Sequence, residues 1–255
     1  MKKLTLIILV SAVLVLSGAA LAQAVIRVPA VVEPSEQNVM VPEKAVDHSP
    51  ALERIVFIHY KKGSAKGEAA KRAKAVACYK FLTPTKVKWT VLPVTYWINP
   101  SNPQGLTQEF ITGAVFNSAE AWDNATSKEL MKNDYSIATS VAYGVQDYKN
   151  AVVFGNYSDP DVIAVTSIWY VPYARRIVEF DIMFDTDYKW GDATQDKTKM
   201  DLQNIATHEF GHGVGLGDIY DSVCSSVTMY GYSTEGETSK RTLEAPDIKG
   251  LQILY

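Results

Sequence analysis

The sequence predicts an α+β fold, because helical and strand-like segments follow one another through residues 78–255. Two observations carry this prediction. Apolar residues recur at helical spacing over 107–124. Later segments are short, rich in β-branched residues and separated by Gly, Asn, Asp or Pro. The chain has 255 residues, of which 47% are hydrophobic, and this is enough for one sizeable core.

The predicted elements can be placed in chain order. A strand over 94–98 stops at Asn99-Pro100, which is a turn signal. The helix over 107–124 follows, and Asp201 is the expected N-cap of a second helix. A last helix is predicted to start near Pro246. Between the first two helices we expect short strands at 137–143, 151–154, 162–170 and 177–184.

The N-terminus predicts export. Two lysines precede an apolar run at 4–16, and small residues follow up to Ala22. This pattern is typical of a signal peptide over 1–22, so we expect a secreted, extracellular protein. The alternative is an uncleaved anchor, because residues 4–22 are about long enough to span a bilayer. The small residues before Ala22 favour cleavage, and we then expect no stable membrane partner.

Residues 23–77 are predicted to form a linker and a prosegment. Regularly spaced prolines interrupt the first half, which indicates an extended or disordered chain. Residues 55–60 are β-branched and aromatic, and they predict a short strand. The lysine-rich stretch that follows, 61–74, is either part of a prosegment cut during maturation or a solvated helix face.

The charge balance argues against nucleic acid as a partner. Lysine and arginine number 25 and aspartate and glutamate 28, which gives a formal net charge of −3. A nucleic-acid-binding domain shows a basic surplus instead.

Residues 208–218 read HEFGHGVGLGD and predict a metal site. Residues four apart share one face of a helix, so His208 and His212 can bind one metal ion together. The chain's other two histidines lie before the predicted domain, so the third ligand is expected to be a carboxylate. We predict Asp218, because Gly215 can end the helix with a positive φ and bring Asp218 toward the metal. Asp221 is the competing carboxylate.

The motif predicts catalytic zinc chemistry. A catalytic zinc takes three protein ligands and leaves one position open for water. Glu209 would lie beside that position, where it can act as general base and then as general acid in peptide hydrolysis. The alternative is a structural zinc in a non-catalytic exported binding protein, a role that has no need of the Glu209 carboxylate.

The same residues resemble the metzincin clan of zinc peptidases, and within it the matrixin-like family. The motif is His208-Glu209-x-x-His212-x-x-Gly215-x-x-Asp218, and residues 227–230 are similar to the Met-turn of the clan. The resemblance covers roughly residues 85–255. It implies a twisted, mostly parallel sheet with an antiparallel edge strand, a metal-binding helix and a C-terminal helix.

The resemblance also implies a function. The chain would be a zinc metalloendopeptidase that acts on protein or peptide substrates, and we expect it to be a monomer. Its antiparallel edge strand would lie within 162–170, where a substrate could pair with it as an added strand.

Two features depart from the family pattern. Most matrixins have a histidine where this chain has Asp218, although some related bacterial peptidases use aspartate there. Matrixin prosegments also silence the zinc with a cysteine in a motif that residues 77–79 do not match. A disulfide between Cys78 and Cys224 is the expected use of the even cysteine pair, and an inhibitory Cys78 thiolate is the alternative.

Three acidic residues suggest a further ion. Asp181, Asp185 and Asp187 could hold a structural calcium ion, because hard cations prefer oxygen ligands. A solvated acidic loop explains them equally well.

Overall fold

A computed structural model describes residues 51–64 and 77–255. The predicted signal peptide over 1–22, most of the proline-rich linker and most of the lysine-rich stretch lie outside the described residues. Within the described ranges, none of the helices is both long and apolar enough to cross a bilayer.

The described part of the chain contains nine strands and three α-helices. The helices are α1 (Gln108–Asp123), α2 (Leu202–Gly213) and α3 (Ala245–Leu254). The strands are β1 (Glu53–Lys61), β2 (Tyr96–Ile98), β3 (Ser136–Ile137), β4 (Asn150–Gly155), β5 (Val162–Val171), β6 (Arg176–Asp185), β7 (Trp190–Gly191), β8 (Met200–Asp201) and β9 (Tyr232–Ser233).

The main sheet has seven strands in the order β3-β2-β4-β6-β5-β1-β9. Strand β5 runs antiparallel to both of its neighbours, β6 and β1, whereas the remaining pairs are parallel. The predicted α+β class, with a mostly parallel sheet, an antiparallel strand and a C-terminal helix, is confirmed. One expectation differs in detail, because β1 covers the outer side of β5 and β5 is therefore an interior strand.

Helix α1 forms because its N-terminus is capped and one of its faces is apolar. The Thr107 hydroxyl accepts a hydrogen bond from the Phe110 backbone N–H at 3.2 Å. Ile111, Val115 and Trp122 recur on the buried face, and the Trp122 indole N–H donates to the Thr207 carbonyl in α2 at 2.8 Å. This contact fixes α1 against the helix that carries the metal motif.

Helix α2 begins and ends where the sequence predicts. The Asp201 carboxylate caps its N-terminus by accepting from the Asn204 backbone N–H at 2.8 Å. Beyond its C-terminus, Gly215 has φ +115°, a conformation that side chains other than glycine rarely adopt. A Cβ at Gly215 would also lie 2.9 Å from Leu254 Cδ1. The chain therefore turns at Gly215 and carries Asp218 back toward the helix.

Apolar side chains form one core on each face of the sheet. Val152 and Ile182 join α1 and α2 in the larger core, whereas their neighbours Ala151, Val153 and Met183 face a smaller cluster. This alternation follows from the two-residue period of a strand. The predicted disulfide is present between Cys78 and Cys224, with their Cα atoms 5.3 Å apart.

Candidate metal centre

The three predicted metal ligands come together around one point. Asp218 Oδ1 lies 3.1 Å from His208 Nε2 and 3.5 Å from His212 Nε2. All three residues are buried, and they form a group whose ligand atoms lie within 4.8 Å of one another. Asp221 lies outside this group, since its carboxylate accepts from the Val223 backbone N–H at 3.0 Å and caps a short 3₁₀ turn.

Backbone carbonyls fix the orientation of both imidazoles. His208 Nδ1 lies 2.7 Å from the Thr228 carbonyl oxygen, and His212 Nδ1 lies 2.9 Å from the Leu216 carbonyl oxygen. A carbonyl oxygen can only accept, so in each ring Nδ1 carries the hydrogen. In the neutral form of each ring, Nε2 then carries a lone pair that can bind a metal ion.

The unsatisfied atoms of this group fit a zinc ion. His208 Nε2, His212 Nε2 and Asp218 Oδ1 are buried and have no hydrogen-bond partner. Each buried polar atom left in this state costs roughly 1–3 kcal/mol, so their convergence requires an explanation. Two imidazole nitrogens and one carboxylate oxygen are a three-ligand set that zinc accepts, and a bound cation would satisfy all three.

The Asp218 carboxyl is held in its charged form. Burial alone would raise its pKa, but the nearby His212 and His208 side chains outweigh that effect and hold the pKa well below its usual value. The Tyr220 hydroxyl also donates to Asp218 Oδ2 at 3.0 Å. The Asp218 carboxylate can therefore offer a negatively charged oxygen to a bound cation.

The predicted Met-turn lies directly against α2. The Thr228 and Met229 backbone N–H groups donate to the Asp247 carboxylate of α3 at 2.8 and 3.2 Å. Because the Thr228 carbonyl holds His208, the C-terminal helix supports a predicted metal ligand through this turn. Met229 packs so closely that a Cβ at Gly211 would lie 2.2 Å from its Sδ.

Glu209 is buried beside the metal group with both carboxylate oxygens engaged. Its Oε1 lies 3.1 Å from His59 Nδ1, and its Oε2 accepts from the Thr166 hydroxyl of β5. Burial would raise the pKa of the Glu209 carboxyl, but the hydrogen bond from His59 and the closeness of His208 lower it below its usual value. An ionised carboxylate therefore adjoins the three ligand atoms.

His59 is the residue that sequence reasoning missed. It precedes the predicted domain, yet β1 brings it against the site, where its ring centroid lies 4.0 Å from that of His208. Its Nε2 lies 3.1 Å from Ser233 Oγ. Burial, together with nearby His208, lowers the pKa of His59 to about 4, so its imidazole is neutral near pH 7. The signal was present in the alternation of Ile55, Phe57 and His59, which places His59 on the apolar face of a strand.

The acidic residues suggested for calcium do not converge. Asp181 accepts from the Gly144 and Ala151 backbone N–H groups at 2.8 and 3.1 Å, and Asp185 accepts from the Asp187 backbone N–H at 3.0 Å. In the part of the chain that the structure describes, the two groups with convergent ligand atoms are His208-His212-Asp218 and His59-His208-Glu209. The calcium ion stays a prediction.

The sheet is mixed, with one antiparallel strand, and it packs beside a helix that carries two histidines. This arrangement is the metzincin type of fold, which several zinc peptidases share. The comparison with known families is more specific. The family model for matrixin matches residues 88–255, and the chain belongs to the matrixin family.

Three relatives show how distant the similarity is. The chain is 26% identical over 174 residues to stromelysin-1 of Mus musculus and 27% identical over 180 residues to neutrophil collagenase of Homo sapiens, and each match covers 68% of this chain and 34% of the relative. It is 29% identical over 164 residues to the hatching enzyme of Paracentrotus lividus, covering 64% of this chain and 25% of that protein. The chain thus matches about a third or less of the length of these relatives.

Proposed function

We propose that this protein is a secreted zinc-dependent endopeptidase that is made as a precursor. The observation that carries the proposal is the convergence of three buried, unpartnered ligand atoms beside the ionised carboxylate of Glu209. Membership of a zinc-dependent peptidase family supports it. Residues 1–22 would direct export, residues 23–77 would be the linker and prosegment, and residues 78–255 would be the catalytic domain.

His208, His212 and Asp218 would hold the zinc ion. When bound, zinc would lower the pKa of a water molecule toward about 7 and polarise the carbonyl group of the scissile peptide. The hydrogen bonds to the Thr228 and Leu216 carbonyls keep both Nε2 lone pairs aimed at the same point. The two histidines are thereby pre-organised as neutral ligands.

Glu209 would carry the proton in the reaction. One carboxylate oxygen accepts a proton from the attacking water, and the same group then gives it to the nitrogen of the leaving amine. Thr166 donates to the other oxygen and holds the carboxylate in place. The lowered pKa keeps Glu209 ionised, so it can begin the reaction as a base.

A protein or peptide substrate would bind as an added strand. Once β1 is displaced, the outer side of β5 would offer backbone hydrogen-bonding groups directly beside Glu209, since Thr166 belongs to β5 and contacts that carboxylate. An extended peptide can pair with such a row of groups. We expect the segment after Asp218 to influence which substrate side chains fit.

The test is Glu209→Ala in the secreted protein after N-terminal processing. We expect the variant to keep one zinc ion per chain, measured by elemental analysis, because Glu209 is not among the three ligands. Casein hydrolysis should fall by about 10²-fold to 10⁴-fold, the usual contribution of a general base. Asp221→Ala is the control, and it should keep both the zinc and the activity.

The competing function is a non-catalytic exported binding protein with a structural zinc. It predicts that Glu209→Ala changes neither the metal content nor any hydrolysis. Equal hydrolysis by the variant and the natural protein would exclude the proposed mechanism.

A further inference from the structure

The N-terminal strand β1 lies in the place that a substrate strand would take. Along one side it pairs antiparallel with β5, and His59 lies opposite Ala164. Along its other side it pairs in parallel with β9, where Tyr60 lies opposite Tyr232. The Lys62 backbone N–H extends this pairing by donating to the Ser233 carbonyl at 2.8 Å. Strand β1 therefore fills the space between β5 and the segment that follows the Met-turn.

Two side chains of β1 contact the candidate metal centre. The ring of Phe57 stacks on that of His212, with centroids 4.0 Å apart and planes at 14°. His59 lies against His208 and donates from Nδ1 toward Glu209 Oε1. One residue thus covers a metal ligand, and the other engages the carboxylate that is proposed to be the catalytic base.

This arrangement leaves no room for a peptide substrate. The side chains of His208, Glu209 and His212 are completely buried. The outer backbone groups of β5 are already hydrogen-bonded to β1, and each such group can serve only one strand at a time. A peptide could pair with β5 and reach Glu209 only after β1 has left.

We propose that residues 53–61 are an internal inhibitory strand, which keeps the peptidase latent by occupying its substrate cleft with Phe57 over His212 and His59 on Glu209. This inference rests on the proposed function and concerns its regulation. Both cysteines of the chain are joined in one disulfide, so a cysteine thiolate is not available for the same task.

Anchors at both ends hold the strand without touching the metal group. Arg54 Nη2 donates to the Ser167 hydroxyl at 2.9 Å, and its guanidinium lies 4.9 Å from the centroid of the Trp169 ring. At the other end, Lys61 Nζ lies 2.7 Å from Glu235 Oε1. Arg54 is a useful site for mutation, because its side chain contacts Ser167 and Trp169 of β5 and none of the three predicted metal ligands.

The experiment compares Phe57→Ala/His59→Ala, Arg54→Ala and the control Val56→Ala with the natural sequence, each as the full zinc-loaded chain. Val56 lies on the same strand but is 41% exposed, so its truncation leaves the contacts to the metal centre intact. Three quantities are measured: amide hydrogen exchange of residues 53–61, binding of a non-hydrolysable extended peptide by fluorescence anisotropy, and casein hydrolysis.

We expect the double variant to lose protection at 53–61 and to bind the peptide at least about tenfold more tightly, because the competing strand is released more often. Casein hydrolysis should rise by a similar factor. Arg54→Ala should show the same changes to a smaller extent, and it replaces the double variant as the test if that protein does not fold. Val56→Ala should match the natural sequence.

The outcomes separate this inference from the proposed function. If the strand is released and peptide affinity does not change, the inhibitory role is wrong. The same holds if the natural chain hydrolyses casein as fast as the variants while residues 53–61 stay protected. If the released form binds peptide tightly but cleaves nothing, the cleft is gated as proposed and the peptidase function is the part that fails.

Discussion

At the scale of single residues, Asp218 would set the charge of the proposed metal centre. A site of three neutral histidines would leave the full double charge of a zinc ion uncompensated, whereas Asp218 supplies one negative charge directly. The structure also buries this carboxylate and holds its pKa well below its usual value. We therefore expect zinc affinity to depend strongly on the charge of Asp218.

Asp218→Asn tests that dependence. The substitution keeps the size of the side chain but removes its charge, so zinc affinity should fall by more than about 100-fold, since even outer contacts of a metal site are worth 10-fold to 100-fold. Competition with a chelator measures the affinity. Asp221→Asn is the matched control, because that residue lies outside the group. Equal affinities for the two variants would contradict Asp218 as a ligand.

The Asp123 carboxyl should make the stability of the folded protein depend on pH. Asp123 Oδ1 accepts from the Leu130 and Met131 backbone N–H groups at 2.7 and 3.1 Å, while its Oδ2 is buried without a hydrogen-bond partner. Burial raises the pKa of this carboxyl from 3.8 to about 6. The folded protein thus holds this proton more tightly than the unfolded chain does. Its contribution to stability is complete below pH 3.8 and is lost as the pH rises to about 6.

Asp123→Asn should remove this pH dependence. The amide oxygen can accept the same backbone hydrogen bonds, but the side chain cannot ionise. We expect the stability of the variant, relative to the natural protein, to be greater at pH 7 than at pH 4. The urea concentration at the unfolding midpoint, measured at both values, provides the test. An identical difference at the two pH values would show that the Asp123 carboxyl is not the titrating group.

At the scale of elements, two glycines in helices should respond oppositely to the same substitution. A Cβ at Gly113 in α1 would meet no atom within 4 Å, whereas one at Gly211 in α2 would lie 2.2 Å from Met229 Sδ and 2.7 Å from the Trp122 ring. Gly113→Ala should therefore raise the free energy of unfolding by about 0.5–1 kcal/mol, the gain in helix propensity. Gly211→Ala should lower it by about 1–3 kcal/mol, because overpacking outweighs that gain.

Urea unfolding of both variants measures these changes. A destabilised Gly113→Ala protein would contradict the expectation that the space beside α1 is open at this position. A stabilised Gly211→Ala protein would mean that Met229 can move aside without loss.

The helices were easier to predict than the strands, for a physical reason. Helical hydrogen bonds are local, so apolar spacing and the capping residues Thr107 and Asp201 indicate where α1 and α2 begin. Strand ends depend on partners far away in the chain. The sequence predicts one strand over 137–143, but only Ser136–Ile137 pair with β2, and the chain then turns toward Gly144, where φ is +80°.

The same difference between local and long-range contacts decides which residues of the candidate site could be predicted. The prediction that His208, His212 and Asp218 would converge depended on helix geometry and on one glycine turn, both of which are local. The position of His59 depends on β1 pairing with β5 across more than a hundred residues, and sequence spacing carries no information about such a partner. The residue roles themselves stay predictions until the variants are measured.

At the scale of the whole molecule, β1 connects the predicted prosegment with the predicted domain. Its strand character at 55–60 was visible in the sequence and is confirmed, whereas its place in the sheet was not expected. The main sheet thus contains strands from both sides of the predicted boundary at residue 78. The chain folds with its N-terminal strand as part of its architecture.

The position of β1 also has a consequence for solubility. Strand β5 is ten residues long, is buried throughout and consists mostly of apolar residues. Without β1 it would present a long, flat and hydrophobic sheet edge, the feature that leads to aggregation between copies of a protein. In the latent form that we propose, β1 would therefore also protect this edge, and its departure would expose the molecule to self-association as well as to substrate.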